Sequence, residues 1–374
     1  MSAHLLPRAV MLASVVTLVG CAGNAAAPAP RAPAAAAAPS APAVVLTVAP
    51  TAATAAPRAE TVKATFPPSM GQAPIFVAME RGYFAEEGIT FDDPGLDTAS
   101  SANFFPALAT NQLDVAGGGI TSALFNAINQ GVIVRVALGM TTAPPGDKSS
   151  GLLVRKELIE SGRVRDLGDL RGLRAAFTSK GHSTEMFLDK ALSQGGLTLD
   201  DVQTTPLAYQ DMAIALGNNN LDVAVIIEPY AALAVQNGSA VRLRSWADVI
   251  PNDEISVLYF APVFADDRTD VAQRFAKAYV RGIRDYLDAR DKGANRDDMI
   301  AILQKDTALK DRDLYDIMPW GAYDPDGRIN VEAIAAAQDW FAGHGYVAHP
   351  IDLASVIDDR FSAYAVGQLG PYRR

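Results

Sequence analysis

From Thr61 onward, short apolar runs that suit β-strands alternate with runs whose apolar residues recur at helical spacing, and this rhythm restricts the fold more than any other feature. Strand candidates are Thr61–Phe66, Ile89–Asp92, Leu113–Ala116 and Val132–Leu138. Helices lie between them: one opens around Pro74 and stops at Gly82, one covers Asn103–Asn111, and one covers Thr121–Gln130. A second set has strands at Gly151–Arg155, Leu173–Phe177, Val202–Pro206, Val223–Ile227 and Val241–Leu243, with helices near Met186–Gln194 and Met212–Asn218. Strand–helix alternation of this kind predicts an α/β class, with mainly parallel sheets flanked by helices on both faces. From about Asp267 the pattern is helical only, at Val271–Asp288, Arg296–Lys305, Asn330–Phe341 and Asp352–Tyr364. These helices are expected to wrap back onto the first set.

The chain has 374 residues, more than one compact core usually holds, so two domains are the default. A formal net charge of -10 lacks the basic footprint that nucleic acid requires. Cys21 is the sole cysteine, which removes disulfides, a thiol nucleophile and Cys-built metal sites from the folded part. Four histidines, one of them His4, make a His-built zinc site a poor expectation, and no cofactor is expected.

Cys21 also speaks to location. Met1–Arg8 is basic, Ala9–Val19 is nearly all apolar, and Leu18-Val19-Gly20-Cys21 closes the run. That is the layout of a secretory signal, too short to span a bilayer. Its ending resembles the lipobox of bacterial lipoproteins, which implies a lipid on Cys21 and anchorage on the extracytoplasmic face of the cell membrane. Residues 22–58 are Ala, Pro and Thr with few charges, and read as a semi-extended tether.

The run Gly71-Gln72-Ala73-Pro74-Ile75-Phe76-Val77-Ala78-Met79-Glu80-Arg81-Gly82-Tyr83-Phe84 resembles the opening signature of ABC-importer substrate-binding proteins of the nitrate, sulfonate and thiamine-pyrimidine group. Leu113-Asp114-Val115-Ala116-Gly117-Gly118, Leu170-Arg171-Gly172-Leu173, and Asn220–Ala224 followed by Glu228-Pro229 match it further, in order. The resemblance implies a type II periplasmic binding protein: two lobes, two crossing hinge strands, and a ligand between the lobes. It gives boundaries of 1–20 for the signal, 21–59 for the tether, 60–145 plus about 262–374 for the first lobe, and 146–261 for the second. Gly151–Leu158 and Ile255–Pro262 are the expected crossing strands. Residues 119–128 and 324–330 resemble a branch that includes riboflavin-binding proteins of the RibY type. The implied partners are a small-molecule ligand, with riboflavin or a related heterocycle in the lead, an ABC permease and its separate ATPase. The protein is expected to act as a monomer.

In open α/β sheets ligands sit beyond the carboxyl ends of the strands, where loops enter helices. In the first lobe that rule selects Phe66 and Gln72, Ser100 and Ser101, and Thr121 and Ser122 after three glycines. In the second it selects Ser183 and Thr184, Tyr209, Glu228 and Tyr230. Exposed amides at helix starts suit an anion or a carbonyl edge, and aromatic faces suit a flat ring. Each Ser or Thr can equally be only a helix cap, and Glu228 can equally form a salt bridge. Trp246 and Trp320 are candidates for stacking or for core. His182 reads as a solvated loop residue, and His344 and His349 have no assigned role. The acids in Asp324-Pro325-Asp326-Gly327 fail the EF-hand spacing and read as a turn before a helix cap at Asn330.

A thiamine-pyrimidine synthase of eukaryotic type shares the expected fold, but the resemblance implies a cysteine-rich segment that this body lacks. No Ser-His-Asp order or paired-carboxylate motif stands out, so binding without chemistry is the expectation. Other ligands open to the same clamp are a thiamine-pyrimidine precursor and a sulfonate- or nitrate-like anion. A receptor's sensory domain would need a partner to supply its membrane span and signalling part.

Overall fold

Two lobes with separate cores, joined by a small three-stranded sheet, carry the architecture of the computed structural model, which describes residues 57–96 and 101–373. The signal, Cys21, the tether as far as residue 56, and Ser100 lie outside the described residues, as does the side chain of Ser101. In the first lobe β1 (Glu60–Lys63) pairs in parallel with β2 (Ile89–Asp92). β3 (Val115–Gly119) and β4 (Arg135–Gly139) flank a strand that arrives much later in the chain, described below. A parallel bridge from Ala64 to Val115 joins the two halves.

The second lobe holds β6 (Ser150–Arg155), β7 (Arg174–Phe177), β8 (Gln203–Pro206), β9 (Val223–Ile227) and β10 (Ala240–Ser245), in the order β10-β6-β9-β7-β8. Central strands are apolar on both faces: Leu152, Val154, Val223 and Val225 enter one core cluster, while Leu153, Ala224 and Ile226 enter another. The first cluster is closed by the helix Ser183–Gln194, the other by Tyr209–Gly217 and Tyr230–Gln236. β8 is exposed throughout and reads Gln-Thr-Thr-Pro, polar chemistry that blunts an edge strand.

The α/β two-lobed expectation holds, with three corrections. The crossing strands are β5 (Thr141–Ala143) and β11 (Asp253–Glu254), paired antiparallel, with β13 (Ala322–Tyr323) on the other side of β5. The expected pair has other places. Gly151–Arg155 is an inner strand of the second sheet, and β12 (Ser256–Phe260) lies between β3 and β4 in the first. The chain therefore re-enters the first lobe before Ser256 rather than near 262. Both expected segments are apolar because they are buried inside sheets, and apolarity alone does not distinguish an inner strand from a crossing one.

Pairing is also mixed. β12 runs antiparallel to both neighbours, and β6 does the same, because these strands lie next to the crossings and enter each sheet against the prevailing direction. Finally, Gly117–Gly119 is strand rather than loop, and the region expected as one helix from Asp352 is a short turn at Leu353–Ser355 before the helix Arg360–Leu369.

The C-terminal helices return to the first lobe as expected. Thr269–Lys292 buries Phe275, Tyr279, Ile283 and Tyr286 along one stripe and stops at Gly293, which takes a left-handed φ of 69°. Val331–Gly343 adds Ile334, Ala337 and Phe341 to the same core, and Phe361 follows. No helix among the described residues is long and apolar enough to cross a membrane.

Candidate functional site

The loops selected at the strand ends of the two lobes meet directly. The Ser122 amide, at the start of the helix Ser122–Asn129, donates to the Gly181 carbonyl at 2.9 Å. Beside this bond Thr121 and His182 form an antiparallel bridge. His182 precedes the helix Ser183–Gln194, and its Nδ1 accepts the Thr184 amide at 3.2 Å. Two helix starts thus face one another, each satisfied in part by the other lobe.

The glycine run explains how the backbones come so close. A Cβ on Gly119 would sit 3.3 Å from His182 Nε2, one on Gly118 2.7 Å from the Phe104 ring, and one on Gly117 2.8 Å from Gln72 Nε2. The close approach expected for a ligand is occupied by the protein's own side chains. His182 is a packed cap, not a solvated loop residue, and desolvation pulls its imidazole down to about 4, so it stands neutral. Thr184 turns inward: its Oγ1 lies 2.7 Å from Thr178 Oγ1 and accepts the Thr178 amide at 3.1 Å. Ser183 is buried, with Oγ 3.2 Å from His182 Nδ1. These two hydroxyls organise the turn.

Gln72 is different. It is 4% exposed, its Nε2 reaches the Gly117 carbonyl only at 3.5 Å, and its Oε1 has no hydrogen-bond partner. A buried carboxamide left this way has capacity to spare for a ligand. The loop that carries it is pinned by Tyr323, whose hydroxyl donates to the Met70 carbonyl at 2.9 Å. Phe66, further back in that loop, lies edge-on to Phe91 at 6.0 Å and packs against the first-lobe core.

Tyr209 and Tyr230 are brought together on the second lobe, with Glu228 two residues before Tyr230. The two tyrosine rings lie 6.4 Å apart and only 17° from parallel, each starting a helix. Glu228 is both a cap and a salt bridge. One oxygen accepts the Ala232 amide at 2.8 Å and the other accepts Arg242 Nη2 at 2.6 Å. Burial pushes its carboxyl up to about 7, against the pull of Arg242, and nearby Asp147 adds to the rise. Arg242 keeps Nη1 buried without a partner.

The remaining candidates are structural. Trp246 stacks on Phe187 at 4.4 Å inside the second core, and Trp320 donates to the Tyr315 carbonyl at 2.9 Å. Asp324 accepts the Asp326 and Arg328 amides, making the expected turn, and Asn330 accepts Ala333 N–H as the expected cap. Among the described residues no group of His, Cys, Asp or Glu is arranged to hold a metal.

Sequence reasoning missed Arg242, which sits within a strand as one of several arginines, and Tyr346, Glu185 and Asp189, discussed below. Arg242 is marked only by its pairing with Glu228, fourteen residues back, and the other three only by pairing across more than 150 residues, which periodicity does not carry.

The NMT1-like family profile matches residues 55–304. The putative aliphatic sulfonates-binding protein of Escherichia coli (strain K12) is 33% identical over 106 residues, 28% of this chain. That stretch spans only 32% of the relative's own length. The alkanesulfonate-binding protein SsuA from Xanthomonas axonopodis pv. citri, solved bound to MOPS, superposes with a TM-score of 0.61 at 18% identity, over 81% of this chain and 99% of that one. The desulfurization enzyme DSZB superposes equally well, with a TM-score of 0.61 at 17% identity, over 83% and 99% of the two chains. Likeness at such identity is likeness of fold, and this fold hosts both a binding protein and an enzyme. The profile match runs over more than half of the residues, and on that ground the chain belongs to the NMT1-like family.

Proposed function

We propose that this protein is the ligand-binding component of an ABC-type importer, a clamp that closes on a small organic molecule and releases it unchanged to a permease served by a separate ATPase. One observation carries the reading: the lobes touch through their strand-end loops, Ser122 to Gly181, with the unmet carboxamide of Gln72 buried at the same strand ends. Hinge closure around a ligand uses this arrangement and needs no nucleophile. The only cysteine of the chain, Cys21, precedes the folded body, so the thiol chemistry that a pyrimidine-forming enzyme would need has no source within it.

The ligand we favour is a flat heterocycle, with riboflavin as the lead and a thiamine-pyrimidine precursor next. The near-parallel Tyr209 and Tyr230 rings support a planar partner, and Glu228 with Arg242 offers an acceptor beside a spare donor. A sulfonate is the second reading. It is favoured by the 33% identity to a putative aliphatic sulfonates-binding protein.

Absorbance and mass spectrometry of small molecules released from natively purified protein test the proposal, followed by calorimetry with riboflavin and with MOPS. A bound flavin spectrum, or heat with riboflavin alone, supports the lead. Heat with MOPS alone replaces it with the sulfonate reading. Conversion of a bound molecule during incubation would overturn the binding role.

A lipid on Cys21 would hold a monomer on the extracytoplasmic face of the membrane. Incorporation of labelled palmitate, lost in Cys21→Ala, is the expected result.

A further inference from the structure

We propose that the end of the helix Val331–Gly343 and the turn after it form a clasp that holds the two lobes shut. The consequence for ligand residence rests on the binding role proposed above; the clasp itself does not.

Two carboxylates of the second lobe are its receptors. Glu185 and Asp189 are four residues apart on the helix Ser183–Gln194, so both lie on one face. Tyr346 donates its hydroxyl to Glu185 Oε1 at 2.9 Å. Trp340 donates its indole Nε1 to Asp189 Oδ2 at 2.8 Å. His344 stacks on Trp340 at 4.1 Å and brings Nε2 to 3.6 Å from the same Asp189 oxygen.

The donors are fixed to the first lobe. Asn126 Nδ2 donates to the Tyr346 carbonyl at 2.8 Å, and Phe341 is fully buried in the first core. The other end of this helix belongs to the hinge: the Asn330 amide donates to Glu254 Oε2, on a crossing strand, at 2.8 Å. At about 1.5 Å per residue the helix is a strut roughly 20 Å long, running from hinge to clasp.

The clasp also shapes the contact between the facing loops. The second oxygen of Glu185 accepts the Gly181 amide at 2.7 Å, and Gly181 is the residue whose carbonyl receives Ser122 from the first lobe. Tyr346 therefore holds the far lobe through the same carboxylate that positions the loop at the cleft. None of the clasp residues needs to touch a ligand to set the balance between shut and open lobes.

Hydrogen exchange of the full chain, without added ligand, tests this. The variants are Tyr346→Phe and Asp189→Ala, alone and together. Exchange in segments 119–124 and 180–186 is expected to rise by about tenfold in the double variant, the loss of two part-buried hydrogen bonds. Exchange in 150–155 and 269–292 should stay as in the unaltered protein. Unchanged exchange in the two loop segments would overturn the clasp. A rise spread equally over 150–155 and 269–292 would overturn it too, since that marks general loosening. Because no ligand is added, the result stands apart from whether the protein serves an importer.

Discussion

Trp246 and Asp253 share a hydrogen bond of 2.8 Å from the indole Nε1 to Oδ2, which ties the centre of the second core to a crossing strand. The next residue, Glu254, accepts the Asn330 amide with one oxygen and is 2% exposed. Two adjacent carboxyls are thus buried at the hinge. Burial raises Asp253 to about 6 and Glu254 to about 8, with the charges of Asp253 and Asp324 adding to the rise at Glu254.

The pH dependence follows from these values. Both folded values lie above the ordinary 3.8 and 4.5, so the folded protein keeps protons that the unfolded chain releases. Their contribution to stability is complete below about pH 4 and is lost as pH rises through 6 and then 8. Glu254→Gln keeps the shape and removes the charge. Its melting temperature at pH 8 should exceed that of the unaltered protein by about 2–4 °C, with little difference at pH 4.5. Scanning calorimetry at the two values checks it, and equal shifts at both would sink it.

The glycine run should resist substitution for a packing reason. Phe104 lies against Phe105 at 4.6 Å and Tyr259 at 5.4 Å, so it has nowhere to move when a methyl group appears on Gly118. Gly118→Ala should cost about 1–3 kcal/mol, the usual range for overpacking a filled core. Denaturant unfolding measures the loss. A neutral result would mean that the Phe104 ring is free to shift.

Glu228 and Arg242 should be separable by a double-mutant cycle. Arg242→Ala leaves a carboxylate that is 5% exposed with only a helix amide for company, and such losses run to about 3–5 kcal/mol. Replacing both, as E228Q/R242A, should recover at least half of that, with Glu228→Gln alone closing the cycle. The folded value of about 7 for Glu228 exceeds the ordinary 4.5, so its stabilising share fades as pH climbs from 4.5 through 7. The single Arg242→Ala variant should accordingly lose more stability at pH 8 than at pH 5. Equal losses at both would show that the carboxyl is already neutral in the folded protein.

The alternation of strands and helices was legible because burial of both sheet faces writes itself into local periodicity: Val223–Ile227 is recognisable as an inner strand from five apolar residues alone. The crossing strands were not. Thr141–Ala143 and Asp253–Glu254 are two or three residues long, and one of them is built from carboxylates that look like surface until Trp246 and Asn330 cover them. The site divides in the same way. Helix starts at Ser122 and Ser183 follow from local chemistry, so the loops were found. Thr184 belongs to the loop expected at the ligand, yet its hydroxyl turns inward because Thr178, six residues back, offers a partner. Tyr346 and Glu185 meet across 161 positions, and no local pattern encodes such a pair.

Gln72 gives the sharpest test of the cleft, because stability and binding should move in opposite directions. Its Oε1 is buried without a partner, and its Nε2 bond of 3.5 Å is at the limit of the interaction. Leucine has nearly the same volume and brings no unmet polar group, so Gln72→Leu should leave the melting temperature of the ligand-free protein unchanged or slightly higher. A ligand that uses the carboxamide would bind the variant at least about tenfold more weakly, the loss of one buried hydrogen bond. The measurement is the rise in melting temperature produced by riboflavin and, separately, by MOPS, since a ligand that binds only the folded state stabilises it by mass action. The expected pattern is an intact baseline and a reduced rise with whichever probe binds. A lowered baseline with an undiminished rise would assign Gln72 to packing alone.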